Sequence, residues 1–178
     1  MGSPFVIGAA AFYLALSALG MAWLSYGGYD YGVLLPPSDN ILPHSMVGIL
    51  AGALLLIAWR LAEKYLPAAQ RLSQELAEAL PTIGSAGVAA LAATSAVGEE
   101  IFFRGAMQSA LGPIVSTIIF GVLHGLFDRR FILWMVFATL AGAIFAAATQ
   151  ITGNILAATI AHALVNGVNL RRLMREFC

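Results

Sequence analysis

Apolar runs of bilayer length recur along the whole of this chain, and they leave it few ways to fold. Crossing the hydrocarbon layer as a helix takes about 20 mostly apolar residues. Six segments are candidates, at about 5–26, 45–61, 82–111, 113–127, 131–150 and 154–170. A backbone surrounded by lipid has no water to bond, so each run must satisfy its own N–H and C=O groups as a helix. Composition agrees. Of the 178 residues 60% are hydrophobic and 10% charged, with mean hydropathy +0.86, whereas soluble domains carry about 25% charged residues. The expected fold class is all-α: a polytopic membrane helix bundle of about six transmembrane helices plus an interfacial amphipathic helix.

That extra helix comes from the connections, most of which are short. The stretch 27–44, GGYDYGVLLPPSDNILPH, has the glycine, proline and Asp/Asn content of an irregular loop. The stretch 63–81, EKYLPAAQRLSQELAEALP, sets Leu66, Leu72, Leu76 and Leu80 among charges, as a helix lying in the membrane interface would. The first apolar run is long and follows MGSPF, with no basic n-region, so it reads as a retained span and not a cleaved signal. The expected organisation is one membrane domain, 1–178. Two N-terminal helices and the interfacial segment occupy 5–81, and a four-helix core occupies 82–170.

Charge placement tests the helix count. Formal net charge is zero, so there is no electrostatic footprint for nucleic acid. The one cysteine, Cys178, has no intrachain disulfide partner. Arg60, Lys64 and Arg71 follow the second span, Arg129 and Arg130 the fourth, and Arg171, Arg172 and Arg175 the sixth, while 27–44 and 150–154 carry no lysine or arginine. Six spans with both termini cytoplasmic put eight of the nine basic residues on one face, as the positive-inside rule requires. The ninth is Arg104.

Arg104 belongs to GEEIFFRG, residues 98–105, inside the third span. A charge at the bilayer centre costs about 2.5–3.5 kcal/mol on insertion scales, so Glu99, Glu100 and Arg104 must be paired, hydrated or neutral. On a helix Glu100 and Arg104 are four apart with the acid N-terminal, the better orientation for an ion pair. Glu99 lies about 100° further round. This nominates Glu100–Arg104 as a structural pair and Glu99 as the freer carboxylate, although either acid suits either role. Downstream, FGVLHG places His124 four residues after Phe120, and HALVNGVN aligns His162, Asn166 and Asn169 on one face of the sixth span. Three spans thus each direct an acid, an imidazole or an amide into apolar surroundings. Such groups face a bundle interior or a wet cavity, and one cavity shared by Glu99, His124, His162 and Asn166 is the economical reading. A lone intramembrane asparagine is ordinarily interhelical glue, the role expected of Asn169. His44 reads as a solvated interfacial group and Asp128 with Arg129 and Arg130 as a charged turn. Trp23, Tyr26, Tyr29, Tyr31 and Trp134 read as interfacial anchors.

Nucleophilic catalysis has little support. Neither Ser95 nor Ser109 lies in a Gly-x-Ser-x-Gly motif, and the His-Glu-x-x-His zincin signature is absent. What remains is a general base, imidazoles and an amide donor, the set that activates water and holds a tetrahedral oxyanion. Hydrolysis of a peptide bond within the membrane suits it. A proton-coupled transporter, in which glutamate and histidine relay protons, and a catalytically silent binding or scaffold protein are the alternatives.

The spacing Glu99-Glu100-x-x-x-Arg104, then Phe120-x-x-x-His124, then His162-x-x-x-Asn166 resembles the three-motif pattern of the CAAX prenyl endopeptidase and bacteriocin-processing (CPBP, or Abi) family of intramembrane proteases. The resemblance covers about 84–170; the first two helices carry none of it. It implies that Glu99 and His124 activate the water, that His162 and Asn166 stabilise the oxyanion, and that Glu100, Arg104 and Phe120 support the site. It further implies a glutamic mechanism without cofactor. Zinc held by Glu99, His124 and His162 is the alternative, which asparagine, a poor zinc ligand, disfavours. The implied partners are the lipid bilayer and a membrane-anchored protein or peptide substrate, such as a C-terminal sorting tail or a bacteriocin-like peptide. The implied location is a bacterial cytoplasmic membrane.

Overall fold

The computed structural model describes residues 3–126 and 128–176. Among these there is no strand. The helices are α1 (Ser3–Gly27), α2 (Ile41–Tyr65), α3 (Pro67–Ala79), α4 (Ser85–Glu99), α5 (Gln108–Leu123), α6 (Ile132–Thr152) and α7 (Leu156–Glu176), with a π-helical segment, Glu100–Met107, joining α4 to α5. All but α3 form the bundle. Four helical stretches are long and apolar enough to cross a membrane: Pro4–Gly27, Tyr31–Tyr65, Ser85–Leu123 and Arg129–Thr152. The third of these is folded in two, as described below. The sixth expected span is the helix α7, whose last turns carry the arginines 171, 172 and 175.

Proline sets the first boundaries. Leu66 is extended, at φ −118° and ψ 107°, because the residue before Pro67 is driven out of the helical region. Pro67 then opens α3 at a position whose N–H needs no partner. The interfacial helix is amphipathic as expected. It buries Ala69, Leu72 and Ala77, the first two against Trp59, and leaves Gln74 and Glu78 outside. Leu66, expected on its apolar face, is half exposed because it is the extended hinge residue. Ion pairs of Arg60 and Arg172 with Glu63 and Glu176 join the ends of α2 and α7, and Ser73 of α3 donates to Glu63. The basic residues after the second and sixth spans therefore share one end of the bundle.

The third span departs from a plain helix. From Glu100 to Met107 it widens into a π-helix, and its regular geometry then breaks at Gly112, at φ 82° and ψ 167°. Glycine alone takes that conformation without a Cβ penalty. Pro113 starts the return arm, which packs antiparallel on the π segment. Ser116 Oγ donates to Phe103 O at 2.7 Å, and the rings of Phe103 and Phe120 meet edge to face at 5.1 Å. From Pro113 to Leu123 the arm rises about 16 Å. Glu99 and His124 lie at nearly equal chain distances on either side of Gly112, so the hairpin brings them level. The helical arm ends at Leu123 and not at Phe127, which lies outside the described residues, as does Cys178.

Two small corrections concern loops. His44 is half buried and hydrogen-bonded to Asn154 at 2.9 Å, where solvation was expected. Asp128 is the expected charged turn, paired with Arg130 at 2.6 Å, and the arginine holds its carboxyl below the usual range.

The remaining contacts pair α2 with α7, α5 with α6, and α1 and α7 with α4. Without a hydrophobic drive between helices in lipid, such contacts rely on close backbone approach over small residues. Gly98 is the tightest point of the α1–α4 contact: a Cβ there would lie 2.6 Å from the Tyr13 carbonyl oxygen. Gly8, on the same pair of helices, has nothing within 4 Å of its would-be Cβ. Gly98→Val should therefore cost about 1–3 kcal/mol of stability through overpacking, while Gly8→Val should leave it unchanged. Denaturant unfolding of both variants in detergent micelles checks the contrast.

Candidate active site

The three ionisable groups of the octapeptide divide into a buried pair and a free acid. Glu100 and Arg104 are both fully buried, with Arg104 Nε 3.5 Å from Glu100 Oε2. The guanidinium also donates to the Gly142 carbonyl at 3.2 Å and lies over the Phe120 ring, 4.4 Å from its centroid, an arrangement that supplies cation–π attraction where water is excluded. The other oxygen of Glu100 bonds His162 Nδ1 at 2.8 Å. One carboxylate thus anchors an arginine on its own helix and an imidazole on α7. The His162 ring is fixed on its faces as well, stacked on Phe145 at 5.0 Å and met edge-on by Phe120 at 6.0 Å.

Glu99 is the free acid. Among the described residues its Oε2 has no hydrogen-bond partner. It faces His162 Nε2 at 3.8 Å and His124 Nε2 at 4.0 Å, both beyond hydrogen-bond range. His124 is oriented by its own helix, since Nδ1 lies 2.7 Å from the Phe120 carbonyl oxygen. A carbonyl only accepts, so Nδ1 carries a proton, and Nε2 faces Glu99. Asn166, one helical turn beyond His162, uses Nδ2 to donate to Ser95 Oγ at 3.0 Å. Its amide keeps a second N–H.

Glu99, His124 and Asn166 line a cavity of about 250 Å³, with Ser95, Asn169 and Tyr13 beside them. His162, 4% exposed, is not in the cavity wall but stands behind Glu99. Leu91, Trp134, Phe137 and Val165 make the apolar wall, and the space continues to Ser73 and Arg172 beneath α3. Glu99, His124 and Asn166 therefore share one cavity, while His162, expected in it, stands behind Glu99 against Glu100, with Arg104 and Phe120 beside them. Trp134, expected as an interfacial anchor, is instead a cavity wall 6.0 Å from the His124 ring. Asn169, expected as interhelical glue, also lines the cavity. Tyr13, Ser95 and Phe145 were not nominated from sequence. Only Ser95 carried a signal: it is one turn before Glu99, on the same helix face.

Could the same donors hold a metal ion? Among the described residues no three side chains of His, Cys, Asp or Glu come together as a metal-binding group. His124 and His162 each bring one ring nitrogen towards a single carboxylate oxygen, and Asn166 faces Ser95 instead of joining them.

The buried pair has a measurable consequence. Replacing one member leaves an uncompensated charge in a dry interior. Arg104→Met should cost about 3–5 kcal/mol of stability, and Glu100→Gln combined with Arg104→Met should recover part of that loss. Unfolding midpoints in detergent distinguish the two.

No curated protein and no solved structure matches the chain. Residues 81–168 match the family model described as type II CAAX prenyl endopeptidase Rce1-like. The matched stretch runs from just before α4 into α7 and contains Glu99, Glu100, Arg104, Phe120, His124, His162 and Asn166; α1, α2 and α3 lie outside it. That segment, just under half of the chain, is similar to the CAAX prenyl endopeptidase family of membrane proteases, a likeness that supports intramembrane endopeptidase activity in general.

Proposed function

We propose that the protein is a glutamic intramembrane endopeptidase working without a metal. The observation that carries this reading is the unbonded Glu99 oxygen facing His124 Nε2 inside a cavity that also holds an amide donor. A water between the two acceptors donates one hydrogen to each, which leaves an oxygen lone pair for the substrate carbonyl carbon. As the C–O bond forms, the water proton passes to Glu99. The carbonyl oxygen takes the negative charge and is met by Asn166 and by His162. With Nδ1 anchored on Glu100, the His162 ring turns Nε2 towards the site, where an N–H on that nitrogen meets the oxygen. Collapse breaks the C–N bond, and Glu99 delivers its proton to the leaving amine. Acid, base and oxyanion roles are then all assigned, and Glu99 returns ionised.

The cavity's composition supports a substrate class. Its walls are largely apolar, with polar groups at Glu99, His124, Ser95 and Tyr13, along the α7 strip Asn166, Asn169 and Arg172, and at Ser73 on α3. An extended peptide segment delivered from the bilayer suits such a channel. The substrate is accordingly a membrane-anchored protein or peptide, such as a C-terminal sorting tail or a bacteriocin-like peptide. The α3 end of the cavity lies at the basic end of the bundle, which by the positive-inside rule is the cytoplasmic face of a bacterial membrane. Both termini belong on that side.

A panel of lipid-anchored fluorogenic peptides, assayed in proteoliposomes, tests the proposal. Glu99→Gln should lower kcat at least about 10²–10⁴-fold, the usual worth of a general acid–base, with no change in unfolding midpoint. Turnover retained by that variant would rule the mechanism out. Treatment with 1,10-phenanthroline should leave the wild-type rate unchanged; loss of activity restored by added zinc would show that the metal-free assignment is wrong.

A further inference from the structure

We infer that Tyr13, on α1 and outside the matched segment, is a positioning residue of this active site that holds the Glu99 carboxylate through its phenolic O–H. The inference rests on the glutamic endopeptidase reading and adds a residue to it. Three observations carry it. The first is the contact at Gly98, the residue directly before Glu99: a Cβ there would lie 2.6 Å from the Tyr13 carbonyl oxygen and 3.0 Å from Tyr13 Cβ. The second is that Tyr13 lines the cavity together with Glu99 and His124. The third is the proximity of the Tyr13 phenol to the Glu99 carboxylate, close enough for the two to interact electrostatically.

A tyrosine in a spanning helix is most often an interfacial anchor near a helix end. Tyr13 sits instead in the middle of the span Pro4–Gly27 and is half buried. A phenol at that depth needs a polar partner, and Glu99 supplies it. The benefit is mutual. The imidazole nitrogens stand 3.8 and 4.0 Å from Glu99 Oε2 and cannot fix the carboxylate by direct hydrogen bonds. Tyr13 restrains it from the α1 side, while Oε2 stays unbonded and turned to His124 and His162. α1 is therefore part of the catalytic apparatus and not only a lipid-facing neighbour of α4.

The test uses the full chain in proteoliposomes with the same lipid-anchored peptide panel. Tyr13→Phe keeps the ring and removes the hydroxyl. It should lower kcat roughly 10- to 100-fold, the worth of a hydrogen bond to a charged group, with KM within about twofold and an unchanged unfolding midpoint. Leu14→Ala, on the exposed side of α1, should keep the wild-type rate. Full kcat in Tyr13→Phe beside a dead Glu99→Gln would overturn the inference alone. A raised KM with kcat intact would overturn it too, because the phenol would then be binding substrate and not positioning the acid. Wild-type protein without Glu99-dependent turnover would reject the endopeptidase reading and this inference with it.

Discussion

The fully buried pair of Glu100 and Arg104 is the interaction on which the rest of this structure turns. Two ions in a lipid-embedded interior are tolerable only when each finds several partners. Here the arginine has a carboxylate, a backbone carbonyl and an aromatic face, and the glutamate has a guanidinium and an imidazole. Those partners come from the third span itself, the return arm, α6 and α7. Satisfying the pair therefore fixes the relative placement of the elements that carry the site. The π-helical segment over these residues belongs to the same compromise. Wide helical turns are rare and cluster at functional sites, and this one holds both members of the pair.

Adjacent glutamates consequently do different work. Glu100 is spent on structure, with both oxygens directed at cations or N–H groups, and its rigidity is passed to the His162 ring. Glu99, one position earlier, lines the cavity and faces two imidazole nitrogens beyond hydrogen-bond range. The distinction arises from environment alone, since the two side chains are chemically identical. Similar economy holds on α5, where the Phe120 carbonyl sets the His124 tautomer while the Phe120 ring supports Arg104 and His162.

The cavity depends on elements beyond the family segment. α1 brings Tyr13 against Glu99 at the Gly98 contact, and α3 roofs the space that ends at Ser73 and Arg172. The Glu63–Arg172 pair ties that roof to α2 and α7. The motif-bearing helices thus supply the polar groups of the candidate site, and the N-terminal ones supply part of the wall around it.

Much was legible from sequence because the membrane restricts the possibilities so severely. Apolar run lengths determined the number of bundle helices, and the leucine pattern of 66–80 marked the interfacial one. The misfit of Arg104 with the charge rule pointed directly to the octapeptide. Helical spacing in turn paired Glu100 with Arg104 and left Glu99 free. What spacing along one chain cannot carry is contact between chain-distant surfaces. The positive φ of Gly112 set how far the return arm runs, and hence that His124 stands level with Glu99. The fit of helix against helix turned Trp134 into a cavity wall, gave Asn166 a partner in Ser95, and placed Tyr13 beside the acid. Those outcomes belong to packing, where ångström-scale clearances between side chains decide and no local pattern records them.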